Sequence, residues 1–215
     1  METPTNPLIS LASLPMVSRV ARSHPSNPLI VVDNTFASPY YINPLLHGAD
    51  VVHHSTTKYI GGHSDCVGGA LIVRAGLPEL ETKLAFAQIA TGAVQGAFDS
   101  YLLTRSIKTL NIRCLQHGLS ALQIAAFLEK HPLVENVLYP GLKGSEDHAR
   151  AREVLAKGVW RDLEKRKGWE QDGIPFGGVL SFRVKGGAAE GAKLRFPCEG
   201  PAADAAPVPQ RSASS

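Results

Sequence analysis

The pattern of apolar and polar residues changes twice along this chain. The first third carries short, β-branched apolar runs, which are typical of strands buried on both faces. We expect such strands at residues 28–33, 49–55 and 68–73. A helical pattern over 11–24, interrupted by Pro15, precedes the first of them. Strands that alternate with helices or loops indicate an α/β fold with a mainly parallel sheet.

The middle of the chain is helical in pattern, and the rear returns to strand-like alternation. Residues 97–131 repeat apolar side chains every three or four positions, which predicts a long helix with Gly118 as a break or bend. Residues 134–142 and 176–184 alternate apolar and polar side chains, which predicts two strands of a small α+β domain. The charged stretch between them, 144–172, is expected to form helix and surface loop.

The last part of the chain has a different composition. From about Gly186 onward, Ala, Gly, Pro and Ser dominate, and the apolar residues have no periodicity. Such a segment has too little apolar surface to bury when it folds. We therefore predict a disordered tail over 188–215.

Composition excludes several classes of protein. The 215 residues are 44% hydrophobic and 19% charged, with a net charge of +3, which suits one large globular domain or one and a half. The densest basic group, 161–167, is interleaved with acids, so we expect no nucleic-acid surface. No apolar run approaches the roughly 20 residues of a membrane helix, and the start does not resemble a secretory signal. Three widely spaced cysteines predict no disulfide framework and a cytoplasmic location.

Candidate chemistry collects where two predicted strands end. Lys58 follows the second strand, with Ser55 and Thr57 just before it, and Asp33 closes the first strand. Ligands collect beyond the carboxyl ends of parallel strands. Hydroxyls in such a turn can hold a phosphate, a lysine can bond an aldehyde, and a carboxylate can hold a protonated ring nitrogen. These are the parts of a pyridoxal phosphate site.

Residue types and spacing alone leave a second interpretation open. In it, Asp33 caps a turn, Ser55 and Thr57 cap a helix, and Lys58 is an ordinary solvated charge.

Other polar groups receive less weight. The histidines, Asp65 and Cys66 around residues 53–66 match no zinc spacing, so we predict no metal site. Arg105 and Arg113 are able to reach a phosphate or carboxylate, but structural ion pairs are the favoured interpretation.

The chain resembles the Cys/Met-metabolism family of pyridoxal-phosphate enzymes of fold type I. Six stretches carry the resemblance, and they stand in the order of the family. They are "ETPTNP" (2–7), "VVDNTFASP" (31–39), "NPLLHGADVVHHSTTKYIGGHSD" (43–65), "FDSYLLTRSIKTLNIR" (98–113), "HPLVENVLYPGL" (131–142) and "GGVLSF" (177–182).

The resemblance implies roles for five residues and one cofactor. Lys58 matches the catalytic lysine that bonds the aldehyde of pyridoxal 5'-phosphate, and Asp33 matches the acid that pairs with the ring nitrogen. Ser55 and Thr57 match the phosphate-binding hydroxyls, and Asn6 matches an asparagine near the substrate carboxylate or the cofactor ring.

The resemblance also implies a domain organisation. Residues 1–112 match the rear part of the family's large cofactor-binding domain, and 113–187 match a linking helix with part of the small C-terminal domain. The family's glycine-rich phosphate turn and its substrate-carboxylate arginine have no counterpart here, so we expect the chain to be truncated at both ends. Family members place active sites between subunits, which implies a homo-oligomer without nucleic-acid or membrane partners.

The function implied is that of a sulfur amino-acid (transsulfuration) enzyme. Residues 98–143 favour a cystathionine γ-lyase-like elimination that yields cysteine, 2-oxobutanoate and ammonia. Cystathionine γ-synthase, O-acetylhomoserine sulfhydrylase and methionine γ-lyase are the alternatives within the family. A catalytically inactive fragment or interaction module is the alternative of another class.

Overall fold

The computed structural model describes residues 1–191, which fold around two small sheets. The first sheet has the order β1 (Val31–Asp33), β2 (Val51–Ser55) and β3 (Gly69–Val73). Strands β1 and β2 run parallel, and Glu2 forms a further parallel bridge with Asp33 on the other side of β1. The predicted strands and the α/β class are therefore present.

Strand β3 departs from the parallel arrangement. It pairs antiparallel with β2, from Val51 opposite Val73 to Ser55 opposite Gly69. A parallel return requires a crossover, usually a helix, that carries the chain back to the start of the sheet. The connection between β2 and β3 is a folded loop instead, so the chain re-enters the sheet at the end where it left.

The described residues form eight α-helices, and most lie where the pattern predicts them. Their bounds are α1 Leu14–Ser23, α2 Ser38–Tyr41, α3 Pro78–Thr91, α4 Ala97–Ser106, α5 Leu110–Glu129, α6 His148–Val154, α7 Lys157–Leu163 and α8 Gly187–Gly191. Two short 3-10 helices span Pro44–His47 and Ile107–Thr109. Over these residues, no helix is both long and apolar enough to cross a membrane.

Three helical details differ from the sequence prediction. Pro15 lies in the first turn of α1 and so does not interrupt the helix, because a first-turn N–H has no helical partner. Helix α3 was not predicted, and it has no buried residue. The long helix over 97–131 is divided by the 3-10 turn at Ile107–Thr109 and not at Gly118.

Gly118 lies inside α5 and allows close packing there. A Cβ at this position would lie 1.8 Å from Tyr41 Oη, so no larger side chain fits without movement. Tyr41 is fully buried and donates a hydrogen bond to the carbonyl of Cys114, at 2.9 Å. The buried stripe of α5 is accordingly rich in small residues, while Ile124 and Phe127 face solvent.

The rear of the chain forms the second sheet. Strands β4 (Val134–Leu138) and β5 (Ser181–Val184) pair antiparallel, with α6 and α7 between them in sequence. One buried cluster contains residues from both sides of the predicted boundary at 112/113, including Val32, Tyr41 and Phe176. Helix α8 carries ordered structure into the predicted tail, whose remainder, 192–215, lies outside the described residues.

A buried carboxylate joins α1 to all three strands of the first sheet. Asp50 is 1% exposed and directly precedes β2. Its oxygens accept hydrogen bonds from the Ile30 N–H at 2.8 Å, from Arg22 at 2.7 Å and from Arg74 at 3.0 Å. Burial raises the pKa of this carboxyl, but the hydrogen bonds from Arg22, Ile30 and Arg74 more than offset it, so the pKa lies below its ordinary value.

We expect Asp50→Asn to lower the free energy of unfolding by about 1–3 kcal/mol at neutral pH, because two arginines lose their carboxylate. A depressed folded-state pKa contributes stability that is present above the unfolded pKa, about 3.9, and lost as pH falls through the folded pKa. The difference between wild type and variant should therefore shrink below about pH 4. Urea denaturation across pH measures it.

Asp172→Asn is the matched control for this experiment. Among residues 1–191, the Asp172 side chain forms only an exposed pair with Lys130, at 3.7 Å, so its loss should change stability by less than about 0.5 kcal/mol. An Asp50→Asn variant as stable as this control would contradict the assignment.

Candidate active site

The two strands that run parallel bring the candidate residues to one edge of the sheet. Asp33 is the last residue of β1, and Ser55 is the last residue of β2. The register places Asp33 opposite His53. Because side chains alternate along a strand, Asp33, His53 and Ser55 lie on the same face of the sheet.

The carboxylate of Asp33 is held from two sides. Oδ1 accepts the Thr35 N–H at 2.9 Å, and Oδ2 lies 2.9 Å from His53 Nδ1. Partial burial raises the pKa of Asp33, but the hydrogen bonds from Thr35 and His53 outweigh that effect, so the pKa lies below its ordinary value. Asp33 is therefore ionised at neutral pH.

The loop that follows β2 carries the lysine. The Gly61 N–H donates to the Thr56 carbonyl and the Gly62 N–H to the Lys58 carbonyl, both at 2.7 Å, so the loop is tightly turned. Lys58 is exposed, and within residues 1–191 its ammonium group makes neither an ion pair nor a hydrogen bond. The Thr57 hydroxyl accepts the Gly68 N–H at 3.1 Å.

Thr35 connects the two strand ends. Its Oγ1 accepts the Ser55 N–H at 2.8 Å, while its own N–H donates to Asp33. In the part of the chain that the structure describes, the Ser55 hydroxyl has no hydrogen-bond partner. The structure thus places Asp33, Ser55, Thr57 and Lys58 at one edge, with two polar groups uncommitted.

Asn6 is the candidate that the structure does not join to the others. Its side chain is exposed, and its N–H donates to Glu2 Oε2 at 3.0 Å. The Glu2–Asp33 bridge lays the start of the chain beside β1. Among residues 1–191, no hydrogen bond links Asn6 to Asp33 or Lys58.

Arg113 fixes the lysine loop, although the sequence favoured an ion pair for it. Its guanidinium donates to the Tyr59 carbonyl at 2.7 Å and to the Ser106 carbonyl at 2.9 Å. It makes no ion pair with a residue in the described range. The planar fork of an arginine suits such paired carbonyls, so Arg113 ties the loop after β2 to the junction of α4 and α5.

A cavity of about 700 Å³ lies on the opposite face of the sheet. It is mainly apolar, and among its lining residues are Val52, His54, Ile72 and Leu103. Burial lowers the pKa of His54 to about 4, so that ring is neutral at physiological pH. None of the four candidate residues at the edge lines this cavity, so we place the chemistry on the open face instead.

Within the described range, the structure brings together no group of three or more His, Cys, Asp or Glu side chains able to hold a metal ion. Cys66 and Cys114 are buried free thiols.

Comparison with known proteins decides the ancestry. The model of the family described as "Cys/Met metabolism PLP-dependent enzyme" matches residues 1–195. The chain belongs to this family. Solved structures of the family also share its α/β fold of type I.

Named relatives of the Cys/Met family come from several branches. A probable cystathionine γ-synthase of Herpetosiphon aurantiacus is 49% identical over 87% of this chain and 52% of its own length. A cystathionine γ-lyase of Dictyostelium discoideum is 44% identical, over 86% of this chain and 42% of its own. The crystal structure of cystathionine γ-synthase from Xanthomonas oryzae pv. oryzae, in complex with aminoacrylate and cysteine, aligns with a TM-score of 0.76 and 38% identity, over 89% of this chain and 44% of its own.

The chain spans about half the length of the relatives it matches, between 42% and 52% for the first curated ones. Family members are pyridoxal-phosphate-dependent lyases and synthases of cysteine and methionine metabolism.

We expect Arg113→Ala to loosen the lysine loop, because the Tyr59 and Ser106 carbonyls lose a charged donor. Hydrogen–deuterium exchange of the peptide covering 56–66 should speed up, while β4 and β5 exchange at the wild-type rate. Arg105→Ala is the control, since the Arg105 side chain is exposed and has no hydrogen bond or ion pair with any residue up to 191. Equal exchange in both variants would contradict the anchoring role.

Proposed function

We propose that the protein is a pyridoxal-phosphate-dependent transsulfuration enzyme that breaks the Cγ–S bond of cystathionine, as the sequence predicts. One observation carries the proposal: an ionised Asp33 stands at the carboxyl ends of two adjacent parallel strands with a Ser55 hydroxyl and a Lys58 amine that have no partner in the described part of the chain. Ligands of α/β proteins bind at this position.

The donor set of this edge fits the cofactor. The Ser55 hydroxyl has no partner among residues 1–191, and the Thr57 hydroxyl accepts one hydrogen bond and retains its own proton to donate. Both are suited to a phosphate. The Asp33 carboxylate is suited to a protonated ring nitrogen, and the Lys58 amine to the aldehyde.

These residues would then divide the chemistry between them. Pyridoxal phosphate, when bound, supplies an aldehyde that attaches amines and a ring that takes up electrons from the substrate. Asp33 would hold the proton on the ring nitrogen, because its own pKa lies below the ordinary value and it stays ionised. The Lys58 amine would accept the proton of the substrate Cα and deliver protons to neighbouring carbons.

A second reaction of the same family is favoured by the relatives. Several of them carry the name cystathionine γ-synthase, at 44% to 49% identity. Replacement at Cγ, which joins cysteine to an activated homoserine, is therefore the second candidate. The catalytic residues named above would serve either reaction.

A candidate of another class is a non-catalytic interaction module. The open face that carries Asp33 and His53 leaves both side chains more than a third exposed, at 35% and 39%. A site so open holds its ligand less firmly than a closed pocket. In the predicted homo-oligomer, a second subunit would cover this open face. Sedimentation of the purified chain measures whether the oligomer forms.

Lys58 is tested by trapping. Wild type mixed with pyridoxal phosphate should develop an absorbance band near the visible edge, and borohydride reduction should fix the label on the peptide that contains Lys58. Lys58→Ala should abolish both signals. The control Lys83→Ala removes an exposed lysine of α3 and should leave them intact. A label spread evenly over surface lysines would contradict the proposed role of Lys58.

The reaction itself is tested with two assays on the loaded protein. Release of 2-oxobutanoate from cystathionine supports the lyase, and formation of cystathionine from cysteine and an O-acylhomoserine supports the synthase. A chain that binds the cofactor at Lys58 but runs neither reaction would support the non-catalytic candidate.

A further inference from the structure

His53, which pairs with Asp33, has no role in the function proposed so far. The two residues are register partners on β2 and β1, and His53 Nδ1 lies 2.9 Å from Asp33 Oδ2. Both side chains are about one-third exposed. An exposed pair of this kind contributes little to stability, typically less than about 1 kcal/mol. The main effect of the pair is therefore on the Asp33 carboxylate itself.

His53 completes a two-point hold on Asp33. The Thr35 N–H, just beyond β1, donates a hydrogen bond to Oδ1, and the His53 imidazole on β2 donates one to Oδ2. Donors on both oxygens fix the plane of the carboxylate. A carboxylate offers about four lone-pair positions, so these two bonds leave acceptor capacity for a further donor.

On its other side, His53 faces the third strand of the sheet. Its neighbour across the sheet is Leu71 of β3, and a Cβ at Gly69 would lie 3.6 Å from His53 Nε2. His53 is the titratable group that acts on Asp33, and the adjacent His54 is neutral because burial lowers its pKa to about 4. His53 is thus the polar side chain of β2 that reaches the Asp33 carboxylate.

We propose that His53 is a positioning residue for the cofactor ring: it orients the Asp33 carboxylate so that a free lone pair meets the ring nitrogen of pyridoxal phosphate. The inference rests on the proposed function and adds a residue to it. His53 would act through Asp33, its hydrogen-bond partner.

The test compares two cofactors on three proteins. The probes are pyridoxal phosphate and its carbocyclic analogue, in which a C–H replaces the ring nitrogen. Wild type, His53→Leu and His53→Asn are titrated with each, and the absorbance band reports binding. His53→Leu removes the donor, whereas the amide N–H of His53→Asn replaces Nδ1–H at a similar place.

We expect His53→Leu to weaken pyridoxal phosphate binding by about 3- to 10-fold, the loss that one partly exposed hydrogen bond would cause. The affinity of His53→Leu for the analogue should stay within about twofold of the wild-type value, because the analogue has no ring N–H that could donate a hydrogen bond to Asp33. His53→Asn should recover most of the affinity for pyridoxal phosphate. In an Asp33→Asn background, the His53→Leu effect should disappear.

The possible outcomes distinguish a failure of the His53 role from a failure of the proposed function. If His53→Leu binds both cofactors as wild type does, or loses both equally, the positioning role is overturned and the proposed function stands. If wild type itself develops no band with pyridoxal phosphate, the proposed function fails and the role of His53 fails with it.

Discussion

The buried carboxylate of Asp50 is the interaction on which the architecture of the first sheet depends. It accepts hydrogen bonds from Arg22 of α1, from the Ile30 N–H just before β1 and from Arg74 just after β3. A buried charge is costly unless it is fully paired, so these elements are held in one arrangement. That arrangement sets the register in which β1 and β2 run side by side.

This register decides which side chains meet at the carboxyl ends of β1 and β2. With Val31 opposite Val51, Asp33 comes to lie opposite His53, and Ser55 ends the neighbouring strand on the same face. A slip of one residue would turn these polar groups toward the core and expose Val32 and Val52, which are buried. The candidate site and the core of the sheet are therefore specified by the same pairing.

Helix α5 fixes the loop that carries Lys58. Small residues along its buried stripe let it pack closely on α2, where Gly118 faces Tyr41. Arg113 on the same helix then reaches back to the carbonyls of the lysine loop. The loop that carries Lys58 is thus positioned by a helix more than 50 residues further along the chain.

The sequence by itself determined the strands that end at Asp33 and Ser55, the helical middle and the family to which the chain belongs. Those features are local in origin: β-branched runs, helical spacing and a motif that surrounds Lys58. Position after a parallel strand was enough to predict that Asp33 and Lys58 lie at the same edge of the sheet.

Only the tertiary structure decided the features that depend on distant partners. The antiparallel direction of β3 follows from how its preceding loop folds, and the place of Gly118 follows from Tyr41 on another helix. The pairing of His53 with Asp33 requires the register of β1 against β2, and the anchoring of the loop by Arg113 requires the position of α5. Residue spacing along one strand carries no information about contacts between segments, which arise only when a fold brings the segments together.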